Sequence, residues 1–221
     1  MKTPLDLALA DEEQPDATES VVLAQRAKGG DRAALDELLR RYQPRLHRII
    51  RIQLGQEMRG YLESMDIVQE AFQVAYRKIP DADLRAPGAI LGWLSKIAVN
   101  QIRDAYDREH AQKRDRRRER PLDAPAPGAT SSASGRLEPT AGETRPDQRA
   151  ERAEMRAILD EAVAELPENY QEVVLLKDYC WCSWDEILET IGRTDLHAVQ
   201  QLHQRAWIKL RSAVVPRLRD A

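Results

Sequence analysis

The sequence predicts an all-α protein of two small helical domains joined by a flexible linker. Apolar residues recur at helical spacing through most of 19–118 and again through 150–215, and no segment shows strand alternation. Between them, Pro121–Pro146 breaks every periodicity, and Pro, Ala, Ser, Gly and Thr dominate it, the composition of a flexible linker. Charged residues make up 32% of the chain and aromatics only 5%, which suits Arg- and Glu-rich helical surfaces better than a β-sandwich. The expected organisation is an acidic disordered tail over 1–18, a first domain over 19–118, a linker over 119–149 and a second domain over 150–215.

In the first domain, Val22, Leu23 and Ala27 mark one helix, and Ala34, Leu35, Leu38 and Leu39 mark a second. Gly29-Gly30-Asp31 separates them, with Asp31 placed to cap the second. Pro44 suits the first turn of a further helix carrying Leu46, Ile49, Ile50 and Ile52. After a break at Gly55 and Gly60, a helix starts near Ser64, buries Ile67, Val68, Ala71, Phe72, Ala75 and Ile79, and stops at Pro80. Leu84–Gly92 reads as a loop. The last helix of this domain runs from about Ile90 to Arg118, with Leu94, Ile97, Ala98, Ile102 and Tyr106 inward.

The second domain opens near Asp147 with a stripe of Ala153, Ile158, Leu159, Ala162, Val163 and Leu166, closed by Pro167. A helix over Tyr170–Tyr179 offers Val173, Val174 and Leu176 to the core. Ser183 caps a third helix that ends at Gly192, and Thr194 or Asp195 caps a fourth, which runs towards Val214 before Pro216.

At a net charge of -3 the chain is no uniformly basic coat for nucleic acid, yet 103–120 and the segment from Arg193 onward both lean basic. No apolar run approaches the ~18 residues of a membrane span, and the N-terminus lacks the form of a signal peptide. Two cysteines make no disulfide framework, so a reducing, cytoplasmic setting is expected. Cys180-Trp181-Cys182 lacks the second pair of a zinc site, and the reading preferred here is two buried turn cysteines. Phosphate loops, nucleophile motifs and metal-ligand clusters are absent from the sequence, so neither an enzyme nor a cofactor is expected.

The segment from Ser183 to Arg211 has the form of a helix-turn-helix. Ile187 and Ile191 face inward on its first helix, Gly192 makes the turn, and Ala198, Val199, Leu202 and Ala206 pack the second helix. The opposite stripe carries His197, Gln201, Gln204 and Arg205, with Gln200 beside it and Thr194 at the start. Gln pairs bidentately with adenine, and Arg with guanine or phosphate. The other informative segments are Asp66-Ile-Val-Gln-Glu-Ala-Phe72, an amphipathic helix exposing Asp66, Gln69 and Glu70, and Trp93-Leu-Ser-Lys-Ile-Ala-Val-Asn100.

These segments resemble the extracytoplasmic-function (ECF) group of bacterial sigma factors, the promoter-recognising subunits of RNA polymerase. Leu166-Pro167, Ser183-Trp-Asp-Glu186-Ile187, Gly192, Ala198-Val199, Arg205-Ala206 and Leu210-Arg211 are similar to sigma domain four, which reads the −35 element and meets the polymerase β flap. Asp66–Phe72 resembles the sigma domain-two signature that docks on the β′ clamp helices, which implies that Asp66, Gln69 and Glu70 face polymerase. The family's next segment captures a base flipped out of the −10 element. That implies −10 contacts from Leu84, Ile90, Trp93, Asn100 and Arg103. The chain departs from the pattern at Trp181, where glycine is usual, at Leu188, where a small residue is usual, and at Leu84 and Ile90, where aromatics are frequent.

The resemblance implies a sigma factor that binds core RNA polymerase and promoter DNA, melts the −10 region with its first domain and reads −35 with its second. An anti-sigma partner is a family expectation, and membrane insertion is not expected. Two other readings stand beside it: a dimeric helix-turn-helix regulator binding a palindrome without polymerase, and a sigma-like decoy that sequesters an anti-sigma factor.

Overall fold

A computed structural model describes residues 17–59, 62–119 and 146–220. Among these residues there are eight α-helices and no strand. The N-terminal bundle holds α1 (Ala17–Lys28), α2 (Arg32–Met58), α3 (Ser64–Lys78) and α4 (Pro87–Glu119). The C-terminal bundle holds α5 (Pro146–Ala164), α6 (Glu168–Val174), α7 (Trp184–Ile191) and α8 (Leu196–Asp220). A wide π turn, Leu175–Tyr179, continues α6. Residues 1–16 of the expected tail and 120–145 of the expected linker lie outside the described residues, while 17–18 and 146–149 are already helical. None of the described helices is long and apolar enough to cross a membrane.

Local chemistry sets most helix ends. The Asp31 carboxylate accepts from Ala34 N–H at 3.0 Å and caps α2. Ser183 and Glu186 form a reciprocal capping box at the start of α7. Gly192 closes α7 in the left-handed region at φ 66°, where a side chain would be strained. Of the two candidates for the α8 cap, Asp195 accepts from Ala198 N–H at 3.1 Å.

Four expectations are corrected. Pro44 starts no new helix, because α2 runs through it. Buried Leu38, Leu39 and Tyr42 before it and Leu46, Ile49 and Ile50 after it lie on one continuous face, and that packing outweighs one lost backbone bond. Pro216 likewise sits inside α8, held by buried Val214 before it and a 2.6 Å Arg217–Glu165 ion pair after it. The helix read from about Ile90 starts three residues earlier, so Pro87–Gly92 belongs to α4 and not to a loop. Tyr106 is 43% exposed, because the neighbouring Ala105 takes the inward position.

The buried residues of both bundles form one connected cluster, so the two halves share an interface. At its centre Arg48 of α2 grips Asp160 of α5 with both Nε and a terminal nitrogen, at 2.8–3.1 Å. Tyr179 donates to the same carboxylate at 2.9 Å. Both members of the ion pair are largely buried, so removing one partner would strand a charge at a cost of about 3–5 kcal/mol. Nearby, the Arg45 guanidinium lies 3.8 Å from the centroid of the Trp181 ring.

Candidate nucleic-acid interface

The exposed patch implied on α3 is built by simple periodicity. Ile67, Val68, Ala71 and Ala75 are buried, which turns Asp66, Gln69 and Glu70, at i, i+3 and i+4, outward. Asp66 and Gln69 are exposed. Glu70 is held by Arg108 of α4 at 3.0 Å, so one acid of the patch already has a cation beside it.

On α8 the inner face is Val199, Ala206, Leu210 and Val214, all buried. Thr194, His197, Gln204 and Arg205 are exposed, and Gln200 and Gln201 are half-buried. Gln201 Nε2 lies 2.8 Å from His197 Nε2, so the two side chains are already organised along the stripe. Behind the stripe, Asp178 Oδ2 receives Trp207 Nε1–H at 3.0 Å and lies 2.8 Å from His203 Nε2, with Trp184 edge-on to the imidazole. This cluster fixes α8 to the π turn. Its members lie far apart in sequence and gave no local signal.

The α4 face is different. Trp93, Lys96, Asn100 and Arg103 fall at i, i+3, i+7 and i+10, one stripe of the helix. Leu84 and Ile90 do not join it. Both are completely buried, and their aliphatic side chains pack the core of the N-terminal bundle. They are therefore corrected from base-stacking residues to core residues. Trp93 and Lys96 line a crevice with Cys182, Glu186, Glu189 and Thr190 of the C-terminal bundle. Lys96, Asn100 and Arg103 line a second crevice with Glu172, Leu176 and Thr190. Arg103 also meets Glu168 at 3.1 Å, an exposed pair of small energetic weight. Burial and neighbouring Glu168 raise the Glu172 carboxyl above its ordinary range, against the pull of Arg103, Arg193 and Lys96. The basic side chains from Lys113 to Arg118 lie outside the described ones.

The cysteines sit at the same seam. Both are free and buried. Cys182 Sγ donates to the Gly88 carbonyl at 3.3 Å, and Cys180 Sγ lies 3.4 Å from Ser95 Oγ. The Cys182 thiol is pushed far up by its hydrogen bond with Cys180 and by burial, so it stays protonated. Among the described residues, no group of three or more His, Cys, Asp or Glu side chains has the makings of a metal site. Trp181, between the cysteines, holds φ 56°, the one non-glycine residue in the left-handed region among those described. That conformation costs about 1–3 kcal/mol. A desolvated cation–π contact contributes about 2 kcal/mol, so the Arg45 stack roughly offsets the strain.

Comparison with known proteins agrees with this geometry. The family model for Sigma-70 region 2 matches residues 38–112. The RNA polymerase sigma-H factor of Pseudomonas aeruginosa strain PAO1 is 26% identical over 199 residues, covering 90% of this chain and 95% of the relative. The ECF RNA polymerase sigma-E factor of Escherichia coli K12 is 28% identical over 166 residues, covering 75% and 79%. The fold is similar to that of CnrH, solved in complex with the cytosolic domain of CnrY, at a TM-score of 0.51 and 21% identity over 88% of this chain and 96% of that one. The chain thus carries a Sigma-70 region 2 match over residues 38–112 and is similar along most of its length to named sigma factors, with two helical bundles in the order the motifs require.

Proposed function

We propose that this protein directs core RNA polymerase to a two-part promoter through three surfaces. The α3 patch of Asp66, Gln69 and Glu70 binds the β′ clamp helices. The α4 stripe holds the melted −10 strand, with Asn100 offering a donor and an acceptor to a flipped base and Trp93 a ring to stack on it. With Leu84 and Ile90 in the core, stacking falls to Trp93. The α8 stripe of Thr194, His197, Gln200, Gln201, Gln204 and Arg205 reads the −35 element, and the C-terminal bundle meets the β flap. The work is binding and strand capture, without a catalytic group.

The observation that carries this reading is the joint occurrence, in one chain and in the family's order, of a region 2 match and a helix-turn-helix. The latter has a capping box at Ser183, a left-handed Gly192 and a polar stripe opposite the buried Val199–Val214 face. A second chain bound to the related CnrH fold supports the expectation of a protein regulator. Run-off transcription with purified core polymerase on a promoter library tests the reading. Transcripts that depend on this protein and share two spaced upstream elements are expected. A stable homodimer binding a palindrome without polymerase would replace it with the dimeric regulator. Polymerase or anti-sigma binding with no transcript would replace it with the decoy.

A further inference from the structure

Helices α2 and α5 leave a crevice of about 320 Å³ between them, away from the α3 patch and from both polar stripes. Arg48, Arg51, Arg59 and Arg156 line it against two carboxylates, Asp160 and Glu161. Asp160 is already engaged, because it takes Arg48 at 2.8–3.1 Å and the Tyr179 hydroxyl at 2.9 Å. Neither Arg51 nor Arg59 makes an ion pair with a described carboxylate.

A local break brings these two arginines together. Gly55, near the end of α2, stands at φ 58° and ψ −177°, a backbone that favours glycine. Beyond it, Arg59 reaches back to the Arg51 carbonyl, donating from Nε at 3.2 Å and from Nη2 at 2.8 Å. Burial and then the charge of Arg51 lower the Arg59 pKa, against the pull of Glu161 and Asp160. The Arg51 charge also acts on His47, on the same wall. Three side chains able to carry positive charge thus converge on one opening. The remaining lining is apolar: Ile52 is buried at the floor, and Pro44, Ala153 and Ala157 form exposed walls.

We propose that this crevice binds a small phosphate ester, its phosphate held by Arg51 and Arg59 with Arg156 facing them from α5, and its organic part laid on the apolar walls. Four arginines against two carboxylates leave a surplus that one phosphate, at about −1.5 to −2, matches and a monocarboxylate does not. The planar guanidinium fork suits phosphate oxygens. The volume falls at the low end of small-molecule sites, which start at about 300 Å³, and leaves room for a group beside the phosphate. None of these residues belongs to the proposed polymerase or DNA surfaces, so the site stands or falls apart from the sigma-factor reading.

Isothermal titration calorimetry of the full chain, with inorganic phosphate and with para-nitrophenyl phosphate, tests the site. Each is expected to bind once per chain, the ester about fivefold more tightly, the gain from burying roughly 40 Å² of its ring. Arg51→Gln and Arg59→Gln should each weaken both ligands about tenfold, the loss of one charge-assisted hydrogen bond. Ala157→Leu, which suits an exposed helical position and fills the apolar end, should weaken the ester about tenfold and leave inorganic phosphate within about twofold. Arg40→Gln removes an exposed arginine paired with Glu37 elsewhere on α2 and should change neither ligand. Circular dichroism should show every variant folded. No binding of either ligand, or an equal loss in Arg40→Gln, overturns the site. An ester that binds no more tightly than phosphate and ignores Ala157→Leu overturns the ester class. Duplex DNA binding that falls in Arg51→Gln, with no binding of either small phosphate, would assign the arginines to a nucleic-acid backbone and overturn the proposal as well.

Discussion

The polar stripes on α8 and α4 are built alike and end up in different surroundings. Each lies opposite an apolar face on a long helix, and each carries amide and cationic side chains of the kind that meet nucleic acid. The α8 stripe is open to solvent along His197, Gln204 and Arg205. The α4 stripe faces a wall of Glu168, Glu172, Glu186 and Glu189 from the other bundle. The α3 patch sides with α8, since Asp66 and Gln69 are exposed. The difference is one of charge rather than of access: Lys96, Asn100 and Arg103 are exposed as His197, Gln204 and Arg205 are, but only the α4 stripe has carboxylates of the other bundle beside it.

The largest expected effect falls on an open surface. Asp66→Arg with Glu70→Arg should weaken core polymerase binding about 100-fold or more, because two like charges across an interface cost several kcal/mol and 1.4 kcal/mol is tenfold. Fluorescence titration against labelled core measures it. Circular dichroism should show both bundles intact, because neither side chain is in the core. Unchanged affinity would move the docking surface off α3.

The next effect probes the α4 stripe. Asn100→Ala should slow open-complex formation about tenfold, the loss of one or two hydrogen bonds to a base worth ~1–2 kcal/mol. Polymerase affinity should persist, and permanganate footprinting of the −10 thymines reads the step. Gln201→Ala, on the open α8 stripe, should cost about 1–2 kcal/mol at one −35 base pair and leave the others unchanged. A uniform loss across all −35 sequences would assign Gln201 to positioning, with His197 at 2.8 Å as the group it orients.

The contrast between the two stripes also marks what the sequence could tell. Caps and turns were legible because their partners lie within four residues: Asp31 with Ala34, Ser183 with Glu186, Asp195 with Ala198. Inner faces followed from period alone, and the α8 stripe with them. The seam was not legible. Arg48 and Asp160 belong to different bundles, and no local pattern pairs them. Leu84 and Ile90 were placed by position in a family motif, and their aliphatic character told against a surface role. Trp181 is the instructive case. Its departure from glycine was visible in the chain, and its partner Arg45 was not, because the contact exists only after two independently periodic bundles dock.

The smallest effect separates the seam from the bundle beside it. His47 lies in a crevice with Arg48, Arg51 and Asp160 at the seam's rim, yet its imidazole Nε2 is 2.8 Å from Ser64 Oγ inside the N-terminal bundle. Burial, and then the charge of Arg51, lower its pKa below the ordinary 6.5. The unfolded chain therefore takes up this proton at a higher pH than the folded chain does. The stability associated with neutral His47 is complete above pH 6.5 and is lost as pH falls from there through the lowered folded value. Asp31 and Glu37, held below their ordinary values by Ala34 N–H and Arg40 respectively, titrate in a more acidic window. Glu172, raised by burial, slopes the other way, so a difference measurement is needed. Thermal melts between pH 7.5 and 5.5 should show a shallower pH slope for His47→Gln than for wild type. Because Ser64 and Arg51 belong to the same bundle as His47, the wild-type slope should survive in Gly88→Ala, where the added Cβ would press on the Trp181 and Cys182 backbone at the seam. A slope that vanished there would mean that the C-terminal bundle supplies the burial.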